Sequence, residues 1–282
     1  MKRFVYATDF SENSRYVASF INAVSKKEEV EVLLLHVFPD IKGMYGPLIS
    51  QFSGIIEAWD RTRKSAEENL LEWENRLRSQ GIKVSSKLAI GDPIPETIKE
   101  AELFKADFIA VGTRGISGIR GFLIGSFAKS LLHSSPIPVI TLRFPHIKVE
   151  KVLVALDLSS ATQKIINFLP KIANWGKITL YHALVVDFHL DPKEKAIYEE
   201  QVLKEMPDFN GAEKVVEVSF SPNLDYAGAI VDYAERNHYD LIVIGSHGRT
   251  GIKKVIFGSV AEGVISRSHL PVLTLNIVYS RI

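Results

Sequence analysis

The first half of the chain carries five short, mainly apolar runs: Phe4–Ala7, Val32–Val37, Val84–Ile90, Phe108–Val111 and Val139–Leu142. Runs of this kind, without strict alternation of polar and apolar positions, suit strands buried on both faces. Between them the period changes. After Ser11, placed to cap a helix, Tyr16, Val17, Phe20, Ile21 and Val24 fall on one helical face. Further on, Leu70, Leu71, Trp73 and Leu77 precede Gly81, a residue suited to ending a helix. Strand alternating with helix predicts parallel strands joined by right-handed crossovers, and so a five-stranded doubly wound α/β sheet. The pattern leaves two strand orders open, 2-1-3-4-5 and 3-2-1-4-5. In the second, the order reverses between strands 1 and 4. Ligands of such sheets bind beyond the carboxyl ends of the strands at that reversal.

The pattern then repeats. Ala106 to Arg143 aligns without a gap on Tyr239 to Asn276. Gly112, Gly115, Gly125 and Ser126 face Gly245, Gly248, Gly258 and Ser259, each 133 positions apart (245 − 112). The starts match as well: RFVYATDFS at Arg3–Ser11 pairs with KVLVALDLS at Lys151–Ser159. The strand-end aspartate lies 103 residues before the glycine loop in the first copy (112 − 9) and 88 before it in the second (245 − 157). The first copy is longer by that difference, and the surplus falls after its second strand, around residues 42–61. The expected domains are residues 1–145 and 148–282, with a short joint around Phe144–Lys148 that couples them closely.

Composition narrows the function classes. The chain has 282 residues, enough for two ordinary domains, and 46% of them are hydrophobic, so each half has material for a core. A net charge of +1 gives no electrostatic reason to expect nucleic acid or a membrane as partner. The absence of cysteine excludes disulfides, thiolate metal sites and thiol nucleophiles. The apolar run at the start is too short for a signal peptide, and no window approaches 18 uninterrupted apolar residues, so a cytoplasmic location is expected.

The glycine loop is the candidate chemistry. Gly112-Thr-Arg-Gly115 leaves a buried strand and must turn sharply, and glycine permits positive φ and close backbone approach to an anion. Gly125-Ser126 then opens a helix, whose N-terminus offers unpaired N–H groups and a positive dipole end. Ser126 adds a hydroxyl. Asp9, at the end of strand 1, accepts hydrogen bonds from a ribose or base. Three glycines and a following Ser or Thr at set spacings arise by chance with odds on the order of 10⁻⁵ to 10⁻⁴ per start. The alternative is that the glycines serve only the strand-to-helix turn. No G-x-x-x-x-G-K-[ST] is present, so the chain is not a P-loop NTPase. None of the eight histidines stands in H-E-x-x-H, and His36 and His182, equivalent on strand 2, read as packing or satisfied core polar groups. No nucleophile with a base and an orienting group emerges, so catalytic and metal-ligating residues are expected to be none.

The pattern G-x2-G-x9-G-S after a strand, with an aspartate ending the first strand, resembles the universal stress protein family in its tandem two-domain form. The resemblance covers nearly the whole chain. It implies the 3-2-1-4-5 order of the adenine nucleotide alpha hydrolase-like sheets, two in tandem. It implies binding of ATP or another adenine nucleotide, often with a divalent ion such as Mg²⁺. Carried over by position, base and ribose would meet Ala7, Thr8, Asp9 and Val37. The phosphates would meet Gly112, Gly115, Gly125, Ser126 and Phe127, with Val111 beneath. In the second copy these are Ala155, Leu156, Asp157 and Ala183, then Ile244, Gly245, Gly248, Gly258, Ser259 and Val260. The family's Gly-x-Pro turn after strand 3 is present as Gly91-Asp92-Pro93 and missing from the second copy, where Leu156 also replaces Thr8. The first copy therefore matches more fully. The family's last strand often pairs across a two-fold axis, and Val139–Leu142 and Val272–Leu275 would pair so within one chain, a monomer imitating a family dimer; a homodimer is the other arrangement.

Three functions follow for comparison. The leading one is an ATP-binding stress-response or regulatory protein with little or no turnover, acting on a protein partner that the sequence does not identify. The second is a slow ATPase or phosphotransferase. The third is a nucleotide-free interaction module.

Overall fold

A computed structural model describes residues 1–41, 43, 46, 53–113, 124–246 and 258–277. The first half runs β1 (Lys2–Ala7), α1 (Arg15–Ser25), β2 (Val30–Phe38), α2 (Ser53–Ser79), β3 (Lys83–Ile90), α3 (Pro93–Leu103), β4 (Phe108–Gly112), α4 (Ser126–Ser134) and β5 (Val139–Leu142). The second runs β6 (Lys151–Ala155), α5 (Thr162–Phe168), β7 (Lys177–Val186), α6 (Pro192–Glu205), β8 (Glu213–Phe220), α7 (Tyr226–Arg236), β9 (Leu241–Gly245), α8 (Ser259–Arg267) and β10 (Val272–Leu275). Each half is a parallel sheet of order 3-2-1-4-5, the second of the two orders the pattern allowed. The two sheets are continuous: β5 pairs antiparallel with β10, giving one ten-stranded sheet.

The apolar runs are buried on both faces, as expected of crossover-covered strands. Along β1, Phe4 and Tyr6 join one core while Val5 and Ala7 join the other. Each of these two cores draws side chains from both halves. The surplus of the first copy is mostly helix: α2 has 27 residues against 14 in α6. Gly81 follows α2 with φ +82°, a conformation in which a side chain is strained. Two details differ from expectation. Ser11 does not cap α1, which starts at Arg15 with Ser14 at the N-cap position. The Ser11 hydroxyl instead accepts from the Ser14 N–H, which closes a tight turn ahead of the helix. Leu71 is exposed, because a 27-residue helix turns its 70–77 stripe so that Leu70, Trp73 and Leu77 alone face the core. Among the described residues no helix is long and apolar enough to cross a membrane.

The halves meet by pseudo-two-fold symmetry. Leu273 lies opposite its own equivalent, Ile140 (273 − 133). The Lys129 ammonium pairs with the carboxylate at the equivalent position, Glu262 (262 − 129 = 133). The Arg143 guanidinium donates to the Ser266 carbonyl, and Asn276 Nδ2 donates to the His133 carbonyl at 3.1 Å. Those two contacts are the same contact seen from the two sides. Such self-complementary pairing is the signature of an isologous dimer interface, here built inside one chain. Trp175, between α5 and β7, breaks the symmetry. Its ring is fully buried against Phe4, Phe20 and Phe108 of the first half, with centroids 6.1, 5.9 and 5.0 Å away. Its Nε1–H donates to the Glu28 carboxylate.

Truncating this ring removes apolar burial shared by both halves and leaves Glu28 without its donor. Trp175→Ala is expected to cost about 3–5 kcal/mol of unfolding free energy, read as a lowered urea midpoint. A loss below about 1 kcal/mol would mean that the ring does not clamp the halves.

Candidate functional site

At the carboxyl end of β1 the chain must leave the sheet and enter α1 within a few residues. It does so through Phe10, a non-glycine residue at φ +62°. That conformation costs about 1–2 kcal/mol, and it is kept at the equivalent Leu158, φ +55°. In both copies the aspartate before it accepts from the N–H two residues on, Asp9 from Ser11 and Asp157 from Ser159, each at 3.0 Å. The strained turn therefore presents an Asx loop at the sheet reversal twice over.

β4 ends against this turn. A methyl group on Gly112 would stand 3.2 Å from the Asn13 carbonyl carbon and oxygen and 3.3 Å from the Ser14 nitrogen. Glycine is needed there because backbone meets backbone. Beyond β4, Thr113 N–H donates to the Leu142 carbonyl at 2.8 Å, and Gly125 N–H donates to the Thr113 carbonyl at 2.7 Å. The second bond closes the ends of the glycine loop and fixes where α4 begins. The second copy repeats it, with Gly258 N–H on the Ser246 carbonyl at 2.6 Å. Gly115 and Gly248 lie outside the described residues, as do Arg114, Arg120, His247, Lys253 and Lys254.

These elements enclose a cavity of about 270 Å³, near the lower end of small-molecule sites, about 300–1,000 Å³. All nine described candidates of the first copy line it: Ala7, Thr8, Asp9, Val37, Val111, Gly112, Gly125, Ser126 and Phe127. The sequence reading missed Ser14, His36, Pro93, Thr97 and Thr113, which also line it. Two of these carry the site's most informative feature. The Thr97 and Thr113 hydroxyls are buried and have no hydrogen-bond partner among the described residues. Leaving a buried hydroxyl unpaired costs about 1–3 kcal/mol, so each stands as an unmet polar group in the cavity wall. The start of α4 adds unpaired donors. Its N-cap is Gly125, with no side chain to cap the first-turn N–H groups, which is the arrangement that holds anions at helix ends.

Other polar groups of the site are already paired. Thr8 Oγ1 lies 3.0 Å from Ser14 Oγ and accepts from the Phe10 N–H at 3.0 Å. His36 Nδ1–H donates to the Thr8 carbonyl at 2.7 Å. A carbonyl only accepts, so this bond fixes the Nδ1–H tautomer and leaves Nε2 as an acceptor. Burial pushes the His36 pKa below the ordinary imidazole value, against the opposing pull of the Thr8 carbonyl and Asp9.

The second copy keeps the backbone and alters the lining. His182 donates to the Leu156 carbonyl at 2.8 Å, as His36 does to Thr8. However, Leu156, in place of Thr8, is buried in the core, and Thr162, in place of Ser14, has a buried hydroxyl with no partner among the described residues. Ala155 lies opposite Tyr181 where Ala7 lies opposite Leu35. The Tyr181 ring is fully buried, stacks on Tyr233 at 4.5 Å and donates from its hydroxyl to Glu217 at 2.8 Å. Ile230 stands at the position of Thr97 (230 − 133) and is buried. Gly245 faces the side chains of Ile277 and Ile165 rather than backbone. Ala155 ends β6 and Asp157 follows it, Ala183 lies within β7 and Ile244 is next to the end of β9, with Gly258, Ser259 and Val260 opening α8.

The family profile described as universal stress protein matches residues 1–143 and again 148–276. A universal stress protein of Methanocaldococcus jannaschii is 28% identical over 153 residues, 50% of this chain and 94% of that one. One from Synechocystis is 30% identical over 185 residues, 62% of this chain and 60% of that protein. Among solved structures, a universal stress protein from Archaeoglobus fulgidus superposes with a TM-score of 0.67 at 28% identity, covering 98% of both chains.

The lowered His36 pKa has a consequence for stability. The folded chain favours neutral His36, while the unfolded chain takes up a proton near the ordinary value of 6.5. The unfolded state therefore binds more protons below that value, and the contribution is present above it and lost as pH falls. The unfolding free energy is expected to drop between about pH 7 and pH 5, and part of the drop should vanish in His36→Asn. A wild-type-minus-variant difference that stays constant across the window would remove His36 as its origin.

Proposed function

The chain belongs to the universal stress protein family, and on that footing we propose that its first half binds an adenine nucleotide, with ATP the leading candidate, and acts as a nucleotide-responsive regulatory protein. The observation that carries this reading is the pair of unpartnered threonine hydroxyls beside an uncapped helix start. In this arrangement the phosphates lie over the N–H groups that open α4, at Gly125, Ser126 and Phe127. The sugar and base lie toward Ala7, Thr8, Asp9 and Val37, on the floor made by Val111. Thr97 and Thr113 supply hydroxyl contacts to the ligand. A divalent ion such as Mg²⁺ enters only as a companion of the phosphates, since the described residues gather no group of three His, Asp or Glu side chains to hold one. The second half, with Leu156 and Ile230 in place of threonines, is an altered copy of lower affinity. Binding rather than turnover is the reading, because the ionisable groups described on the cavity wall are Asp9 and His36, and His36 Nδ1 is spent on Thr8. A cytoplasmic location and a protein partner belong to the same proposal.

Gly125→Asp separates binding from folding. Gly125 has φ −59° and ψ 148°, an extended conformation that aspartate adopts without strain. The new carboxylate would cap α4, raising stability by up to about 1 kcal/mol, while repelling phosphate from the same N–H groups. Calorimetric titration of ATP, ADP and AMP is expected to show saturable binding to wild type. For the variant, the affinity should fall by at least about tenfold, or 1.4 kcal/mol, with an unchanged or higher melting temperature. Absence of saturable binding to wild type, or equal affinity in the variant, would overturn the proposal.

A further inference from the structure

A second cavity, of about 210 Å³, lies on the opposite face of the sheet from the first. It is formed where α1 packs beside the end of α2, over Tyr6 of β1. Its wall is of two kinds. Tyr6, Trp73, Ala18 and Leu77 make an apolar floor with two aromatic rings, Tyr6 fully buried and Trp73 nearly so. Arg15, Arg76, Asn22 and Gln80 make the rim. These four side chains offer N–H donors, Ser19 completes the wall with a hydroxyl already donated to the Tyr16 carbonyl, and no carboxylate lines the cavity among the described residues.

The two arginines share one cavity wall. About half of the described lysines and arginines pair with a carboxylate, such as Arg3 with Glu31 or Arg63 with Glu67. Arg15 and Arg76 have none among the described residues. The Arg15 guanidinium lies over the Trp73 ring, 5.7 Å from its centroid. Arg15 and Arg76 both act electrostatically on the Tyr6 hydroxyl at the cavity floor. Two like charges lining one apolar-floored cavity repel each other, and an anion between them relieves that repulsion. Paired guanidinium groups are the strongest side-chain grip for a carboxylate or phosphate. An indole floor adds a flat apolar surface beside the charge.

We propose that this cavity is a second ligand site, taking a small organic anion whose carboxylate or phosphate is gripped by Arg15 and Arg76 and whose planar apolar body lies on Trp73. The volume limits the ligand to a small molecule, below the size range of about 300–1,000 Å³ usual for drug-sized ligands. The site stands apart from the nucleotide proposal, and its test needs no nucleotide. Benzoate and phenyl phosphate serve as aromatic oxyanions, inorganic phosphate as the head group alone, and phenol as the uncharged body.

Titrations of the full-length protein are followed by calorimetry and by the indole N–H resonance of Trp73, assigned from Trp73→Phe. At least one aromatic oxyanion is expected to bind saturably and to shift that resonance, more tightly than inorganic phosphate or phenol. The double variant Arg15→Gln, Arg76→Gln should weaken it by at least about tenfold. Both positions are exposed and carry no ion pair, so the variant is expected to melt with wild type, and that melt is the folding control. Saturable benzoate binding without phenyl phosphate binding would assign a carboxylate ligand, and the reverse a phosphate ester; both support the site. No saturable binding below about 10 mM, equal affinity in the double variant, or equal affinity for inorganic phosphate alone would overturn it.

Discussion

A single antiparallel contact, Val139–Thr141 against Val272–Thr274, sets the architecture of the whole chain. Every other strand pair in the sheet is parallel. Without it, β5 and β10 would each be an edge strand, short and apolar but for one threonine, VITL and VLTL, with all four side chains buried in the folded chain. Such edges invite pairing with other chains. Joining them to each other satisfies both edges and fuses two cores into one on each face of the sheet. The helix that follows the glycine loop in each half, α4 or α8, then meets its counterpart across the pseudo-axis through Lys129 and Glu262. The candidate site is thereby tied to the joint: the start of α4 lines the cavity while its side chains reach the other half.

Within that symmetric frame the two crevices differ in chemistry, not in backbone. Both keep the strained residue after the strand-end aspartate, the histidine bonded to the β1-end or β6-end carbonyl, and the bond that closes the glycine loop. What differs is the hydroxyl lining. The first crevice has Thr8 and Ser14 paired, and Thr97 and Thr113 unpaired among the described residues. The second has Leu156 and Ile230 buried at two of those places, and Tyr181 is committed to Glu217 and Tyr233. Backbone geometry is held by the fold, so it outlasts changes that alter what a cavity recognises.

Much of this was legible in the sequence. The strands were visible because burial on both faces leaves an apolar run, and all five runs begin and end within two residues of the observed strands. The glycine at 112 was visible because backbone packs on backbone there, and a side chain would force that backbone to move. Ser11 misled because a serine before an apolar helical face reads as a cap, whereas its hydroxyl serves the turn ahead of Ser14. Thr97 and Thr113 were not legible from one copy, since threonine is common in helices and loops alike. Setting the copies side by side would have exposed Thr97 against Ile230. Tyr181 needed the strand register, because its equivalence to Leu35 depends on which residue faces Ala7 and Ala155. The second cavity had no sequence signal, because α1 and α2 are far apart in the chain and meet only once the sheet sets both on the face that carries Tyr6.

Covalent joining of the halves also changes what a substitution does. In an association of two identical chains, any altered codon appears at both equivalent places, so neither place can be modified alone. Here Lys129 and Glu262 occupy one such pair of places and carry opposite charges, a combination that identical subunits could not encode. The same freedom lets one crevice drop its hydroxyls while the other retains them. A tandem chain can thus become a heterodimer in one polypeptide, specialising one half for recognition and leaving the other to support it.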